Sequence, residues 1–328
     1  MISHEKSLEI VFLAMLFFGI VGNMSLLYLH SHKFITGHRK RVISLLIINL
    51  AFAHVFMILF RGITAIINNW GWRYFLDDTT GKILNYFIRV TQGLSLCNTC
   101  LLSVFQAITI SPSSLKWAQV KTRVQKYIPS CCILSWIFNL LLDIVAPMNY
   151  SSPRNSSNER WRIGQISFDL QATSIINILV CESLVDAVFV GLMICSSGYM
   201  VFVLHRHSQQ VQHIHSVSLS PRASPETRAT KAVLMLVITF VCFNSASSPF
   251  IIYIASARET RHWGLRFTVM LSLFYPIVSP FMLITTDTHI PKSFSTLLGL
   301  KSSFQEGLSS QEVLRKMERN EHKLELDQ

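Results

Sequence analysis

Residues 82 to 118 read KILNYFIRVTQGLSLCNTCLLSVFQAITISPSSLKWA. From 82 to about 110 the run carries few charges and suits a helix, and at about 20 residues per crossing it is long enough to span a bilayer. Along it Asn85, Arg89, Gln92, Thr99, Ser103 and Gln106 recur at spacings of three, four and seven, which puts them along one side of a helix. Hydrocarbon cannot satisfy such groups, so the stripe must face protein or trapped water. This helix is therefore expected to be interior, with neighbours packed around it.

The rest of the chain agrees with a membrane reading. Of 328 residues half are hydrophobic and only 14% charged, with a net charge of +11 and a mean hydropathy of +0.40. That is too apolar for an ordinary soluble domain. A basic protein can bind nucleic acid, but no basic face or binding motif accompanies the charge, and the Lys and Arg residues lie in short stretches between apolar runs. Nucleic acid is thus not an expected partner; membrane lipid is.

Apolar runs at about 8–30, 42–62, 83–110, 128–147, 174–204, 229–256 and 266–286 predict an all-α membrane protein of seven spanning helices. The connection 31–41 holds Lys33, Arg39, Lys40 and Arg41, and 111–127 holds Lys116, Lys121, Arg123 and Lys126, with no acid in either. By the positive-inside pattern both are cytoplasmic. Seven crossings then put the amino end outside and the carboxyl end inside, with 148–173 as the second external loop, 205–228 as the third cytoplasmic loop and 287–328 as a cytoplasmic tail. Residues 1–7 are too short for a cleavable signal, so the first run is expected to act as an uncleaved anchor. Asn149 and Asn155 each begin an acceptor pattern for N-glycosylation in the external loop. Asn23 also fits the pattern but lies within the first helix. The end of the tail, with Val313, Leu314 and Met317 among mixed charges, predicts a solvated, partly helical segment.

Enzymatic chemistry finds no foothold. The chain has no Gly-rich phosphate loop, no HExxH, no repeated CxxC at zinc-ligand spacing and no nucleophile-elbow pattern. His205, His207, His213 and His215 cluster without cysteines or carboxylates, which suits a polar helix extension better than a metal site. No cofactor is implied. The seven cysteines, Cys97, Cys100, Cys131, Cys132, Cys181, Cys195 and Cys242, all fall within spans, so no disulfide joins the loops.

The few ionisable groups inside the spans carry the most information. Arg89 and Glu182 fall at matching depth below the external surface, and each would cost about 2.5–3.5 kcal/mol at a helix centre. A pairing of Arg89 with Glu182, or with Asp186 one turn deeper, would offset that cost, either as a lock between helices or as part of a ligand site. Glu182 and Asp186 share a face, which disfavours ionising both. Arg61, near the external end of the second helix, is expected to snorkel to the headgroups. Asn23 and Asn49 are expected to hydrogen-bond between helices, and His54 to sit neutral in the core. Pro249, Pro276 and Pro280 predict kinks in the sixth and seventh helices.

Three stretches together resemble the vomeronasal type 1 receptor family: LLSVFQAITISPSSLKWA at 101–118, GLMICSSGYMVFVLHRHSQQVQHIHS at 191–216 and SPRASPETRATKAVLMLV at 220–237. The resemblance runs from about 8 to 295. It implies a seven-helix receptor bundle for pheromone-like small molecules, coupled to a heterotrimeric G protein at the plasma membrane. Gly22-Asn23 and Asn49-Leu50-Ala51 also resemble general rhodopsin-like patterns. FQAITIS stands where that larger class has an acidic-arginine motif, His54 where it has an acid, and SPFMLIT where it has NPxxY. Members of the vomeronasal group commonly carry a cysteine before the third helix and another in the second external loop. Here Gly81 and the cysteine-free 161–168 occupy those places, so the resemblance implies a looser external loop.

Topology and the resemblance together imply two sets of site residues. The expected ligand-binding residues are Arg89, Gln92, Glu182, Asp186 and Asn244; the expected G-protein-coupling residues are Ser111, Lys116, Arg123, His205, Arg206, His207, Arg222 and Arg228. The basic members of the second set are equally accounted for by topology alone. Another seven-helix chemoreceptor, such as a bitter-taste type, a small transporter, and a receptor that has lost signalling are the competing readings.

Overall fold

The computed structural model describes residues 2–36, 41–69, 78–112, 115–145, 150–151, 160–163, 166–169, 173–214, 225–256 and 262–286, with only the backbone at several helix ends. Among the described residues there are seven long helices: α1 (Ile2–Ile35), α2 (Arg41–Asn69), α3 (Asp78–Ile110), α4 (Leu115–Leu142), α5 (Thr173–Ile214), α6 (Pro225–Ser256) and α7 (His262–Thr286). Four stretches, Glu9–Ile35, Val42–Ile67, Thr79–Ile110 and Ser183–His207, are long and apolar enough to cross a membrane, and Val269–Thr285 is a shorter apolar helix. The tail from 287 onward, with its expected partly helical end, lies outside the described residues, as do Asn149 and Asn155.

The bundle is apolar outside as well as inside. Phe17, Phe18, Ile133, Leu134, Leu141, Leu184, Val188 and Met235 are exposed, while Asn23, His54, Asn98, Thr99, Ser103 and Thr230 are fully buried. In water this distribution would leave an apolar surface far larger than a soluble monomer presents; in lipid it is the stable arrangement, because polar groups find partners only in the interior.

Small residues and prolines set how closely α1 meets its neighbours. A Cβ on Gly19 would stand 2.8 Å from Ile277 and 2.9 Å from Ile58, so only glycine lets α1 lie this near α2 and α7. On α7, Pro280 has no N–H to give the carbonyl four residues earlier, which belongs to Pro276. Asn23 fills the gap: its Nδ2 donates to Pro276 O at 2.8 Å and to Gly19 O at 2.8 Å. The expected interhelical role of Asn23 is thus a repair of a proline-broken ladder. Asn49 joins three helices, donating to Asn98 Oδ1 at 2.7 Å and accepting from Trp136 Nε1 at 2.8 Å.

Three differences from the sequence expectations concern local backbone. First, α4 begins at Leu115, so most of the basic 111–127 connection is helix; charge reports which side a segment faces and says little about its backbone. Second, α5 runs on to Ile214, carrying His205, His207 and His213 on the polar extension anticipated for them. Third, the 148–173 connection contains a small antiparallel sheet of order β1-β3-β2, formed by Tyr150–Ser151 (β1), Arg160–Ile163 (β2) and Ile166–Asp169 (β3). Trp161 pairs with Phe168 and Ile163 with Ile166 in the β2-β3 hairpin. Among the described residues Cys97, Cys100, Cys131, Cys132, Cys195 and Cys242 are free, and a Cβ at Gly81 would meet nothing within 4 Å.

Candidate functional site

The polar side of α3 is paired along its length. Arg89 Nε donates to Asp143 Oδ1 at 3.1 Å, at the turn that ends α4. Gln92 Oε1 accepts from Arg61 Nη2 on α2 at 2.6 Å. Thr99 Oγ1 and the Tyr275 hydroxyl of α7 lie 2.7 Å apart, and Ser103 Oγ and Ser196 Oγ of α5 are also 2.7 Å apart. Gln106 Nε2 donates to Thr230 Oγ1 of α6 at 2.9 Å. One face of one helix therefore bonds to five other elements in succession.

At the Gln92 level α2, α3, α6 and α7 surround a cavity of about 20 Å³. Gln92, Ser95, Ser272 and Tyr275 supply its polar groups; Met57, Phe240, Phe243 and Leu271 supply its apolar walls. A water needs roughly 10–15 Å³, so the space has room for little more than one. Arg61 holds two of the lining residues, donating from Nη1 to Ser272 Oγ at 2.7 Å and from Nη2 to Gln92 Oε1 at 2.6 Å. This corrects the expectation that Arg61 snorkels outward: two acceptors on α3 and α7 draw the guanidinium inward, where headgroups do not compete. Beneath the cavity His54 is held on both ring nitrogens, Nε2 2.8 Å from Ser95 Oγ and Nδ1 3.0 Å from Ser279 Oγ. Both partners are hydroxyls, which donate or accept as the ring tautomer requires, and His54 is fully buried in the core.

The Arg89 partner seen in the structure is Asp143, which the sequence did not nominate. Asp143 side-chain exposure is 6% and that of Arg89 24%, so the pair is largely shielded. Asp186 makes no direct ion pair with Arg89 but interacts electrostatically with Arg89 and Asp143 alike. Of the two expected partners, Asp186 is not the carboxylate in contact, because the 3₁₀ turn Asp143–Val145 after α4 brings Asp143 to Arg89, and the Glu182 alternative falls outside the described side chains. The side chains of Glu182 and Asn244 lie outside the described residues, although both positions are helical.

The opposite end of α3 carries a second polar cluster. The buried Ser111 hydroxyl lies 2.9 Å from the Tyr199 hydroxyl of α5, and Lys121 of α4 donates to Ser111 O at 2.8 Å. A cation on the last carbonyls of a helix is favourable both as a hydrogen bond and against the helix dipole. Among the expected coupling residues Ser111 is part of this cluster, whereas Arg123, His205, Arg206, His207 and Arg228 are exposed. The Lys116 side chain and all of Arg222 lie outside the described residues. Lys121 and Tyr199 were missed; the only sequence signal was that Lys121 follows the SPSS turn. Gln106 and Ser111, Ser196 and Tyr199, and Thr230 come one pair or one residue from each of the three stretches that carry the family resemblance, and hydrogen bonds bring all three stretches together here.

Comparison with known proteins identifies the family. The model of the vomeronasal organ pheromone receptor family matches residues 6–296. The chain is 35% identical over 309 residues to the human vomeronasal type-1 receptor 3, covering 93% of this chain and 98% of that protein. It is 36% identical over 276 residues to vomeronasal type-1 receptor 1 of the gorilla, covering 83% and 78%, and 35% identical over 285 residues to vomeronasal type-1 receptor 100 of the rat, covering 83% and 84%. With a seven-helix, lipid-facing bundle and a family match across nearly its whole length, the chain belongs to the vomeronasal type-1 receptor family of chemosensory membrane receptors.

Proposed function

We propose that this chain is a plasma-membrane receptor, amino end outside, that admits a small pheromone-like molecule between α2, α3, α6 and α7 and answers through a heterotrimeric G protein. The observation that carries the reading is the division of α3: a cavity abuts Gln92 at one end, and the family stretches converge on Gln106 and Ser111 at the other. The mechanism is a population shift, in which a ligand favours the conformation whose cytoplasmic face accepts the G protein and shifts the equilibrium only by its differential affinity. Arg89, Gln92, Asp186, Glu182 and Asn244 contribute to or flank the ligand end. Lys116, Arg123, His205, Arg206, His207, Arg222 and Arg228 present the coupling face, and the buried Ser111 underlies it. Asn149 and Asn155 carry glycans outside.

The test is a panel of volatile, steroid-like and anionic organic small molecules applied to cells expressing the chain with several G-protein types, with surface amount measured in parallel. A saturable response in at least one pairing is expected. Silence in every pairing from protein that reaches the surface refutes the signalling part.

A further inference from the structure

We propose that Arg61 is a ligand-recognition cation, and that the molecules selected here carry an oxyanion, a carboxylate or sulfonate-type group, on an apolar body. The inference rests on the receptor reading and narrows it to a ligand class. A guanidinium stays charged in any protein and offers five N–H donors. Among the described residues, two arms of Arg61 reach only neutral acceptors, Gln92 Oε1 and Ser272 Oγ, and its buried Nε has no hydrogen-bond acceptor. The contrast with Arg89 is direct: that arginine has Asp143 against it, with Asp186 nearby. Among the described residues no carboxylate forms an ion pair with Arg61.

A charge held inside a membrane bundle without a counterion is costly, and intramembrane charges of this kind mark sites where something else supplies the partner. The planar fork of arginine matches two oxygens of one oxyanion, through paired charge-assisted hydrogen bonds that neutral acceptors do not equal. The groups holding the arms line the cavity, and the Met57, Phe240, Phe243 and Leu271 side chains that line it with them suit an apolar body. Because the cavity is only about 20 Å³, a ligand enters by parting its walls. An anion that replaces Gln92 and Ser272 as the acceptor for Arg61 dissolves the tie between α2, α3 and α7, which gives ligand binding a route to the rest of the bundle.

The full chain in nanodiscs of neutral phosphatidylcholine provides the test, with 2-naphthoate, naphthalene-2-sulfonate and the uncharged 2-naphthalenemethanol as matched probes and thermal midpoint against concentration as the readout. At least one anion should bind about tenfold more tightly than the alcohol, the gain expected of charge-assisted over neutral hydrogen bonds. The two anion arms distinguish carboxylate from sulfonate recognition. Arg61→Gln should erase the preference and Arg61→Lys retain part of it. Should Arg61→Gln fold poorly, Gln92→Glu serves instead: it gives Arg61 an internal carboxylate, so the probe-free midpoint should rise and the anion preference disappear. Equal affinity for alcohol and both anions, no saturable anion binding to folded protein, or a preference that survives Gln92→Glu overturns the assignment. Anion-selective binding without a G-protein response in any pairing would instead sink the receptor reading and leave the role of Arg61 standing.

Discussion

Gln106 Nε2 donates to Thr230 Oγ1 at 2.9 Å, joining α3 to α6 through two buried side chains. Separating the two helices at this level strands an amide and a hydroxyl, at a cost of about 0.5–1.5 kcal/mol for the hydrogen bond. Gln106→Ala removes that resistance, so ligand-independent G-protein activation should rise roughly three- to tenfold per receptor at the surface. A variant with wild-type basal signal at equal surface amount would show that α3 and α6 do not separate here.

The Arg89–Asp143 pair separates a lock from a ligand contact. Removing either charge should cost about 2 kcal/mol, between the values for exposed and buried pairs because Arg89 is partly open. Surface expression of Arg89→Gln and Asp143→Asn should fall together, and the exchange Arg89→Asp with Asp143→Arg should recover much of it. Normal expression of Arg89→Gln with a lost response would assign Arg89 to the ligand instead.

Gly93 has the least room of the described glycines. A Cβ there collides with the side chain of Asn139 on α4, which is fixed by its own bond to Ser135 O at 2.7 Å. Gly93→Ala should therefore destabilise the folded receptor by about 1–3 kcal/mol, as overpacking does. Adding Asn139→Ala should restore part of the loss, readable as coupling in a double-mutant cycle on thermal midpoint. Additive losses would place the strain elsewhere.

Much of this architecture is legible in the sequence because lipid leaves few options. The spacing of Asn85, Arg89, Gln92, Thr99, Ser103 and Gln106 requires an interior α3, and the partners of the last five are the neighbours that requirement implies. The partners themselves were not legible. Arg61 is near a helix end, where an outward and an inward rotamer differ by which acceptors are in reach; Ser272, 211 residues away, decides it. Asp143 was hidden at the end of the fourth apolar run, since only the 3₁₀ turn after α4 aims it at Arg89. The β2-β3 hairpin had a signal that went unused: RWRI and ISFD flank the two residues Gly164 and Gln165, a short Gly-containing connection between strand-like runs.

Asn23 offers a check on the α1–α7 contact. Asn23→Leu would leave Pro276 O without its amide donor, and Pro280 supplies no N–H in its place. A loss of about 1–3 kcal/mol in stability is expected. Pairing Asn23→Leu with Pro280→Ala, which returns the helical donor, should reduce the loss; an unchanged loss would remove proline from the explanation.

The two-ended reading of α3 is tested most directly by concentration–response curves for Leu271→Trp and Gln106→Ala, run at matched surface amounts with any agonist found for the chain. Leu271→Trp fills the cavity wall and should raise the half-maximal concentration at least about fivefold, since overpacking typically costs about 1–3 kcal/mol. Gln106→Ala should raise basal signal and lower the half-maximal concentration. If both variants move the same parameter in the same direction, or alter only the amount of receptor at the surface, α3 does not join a ligand end to a coupling end.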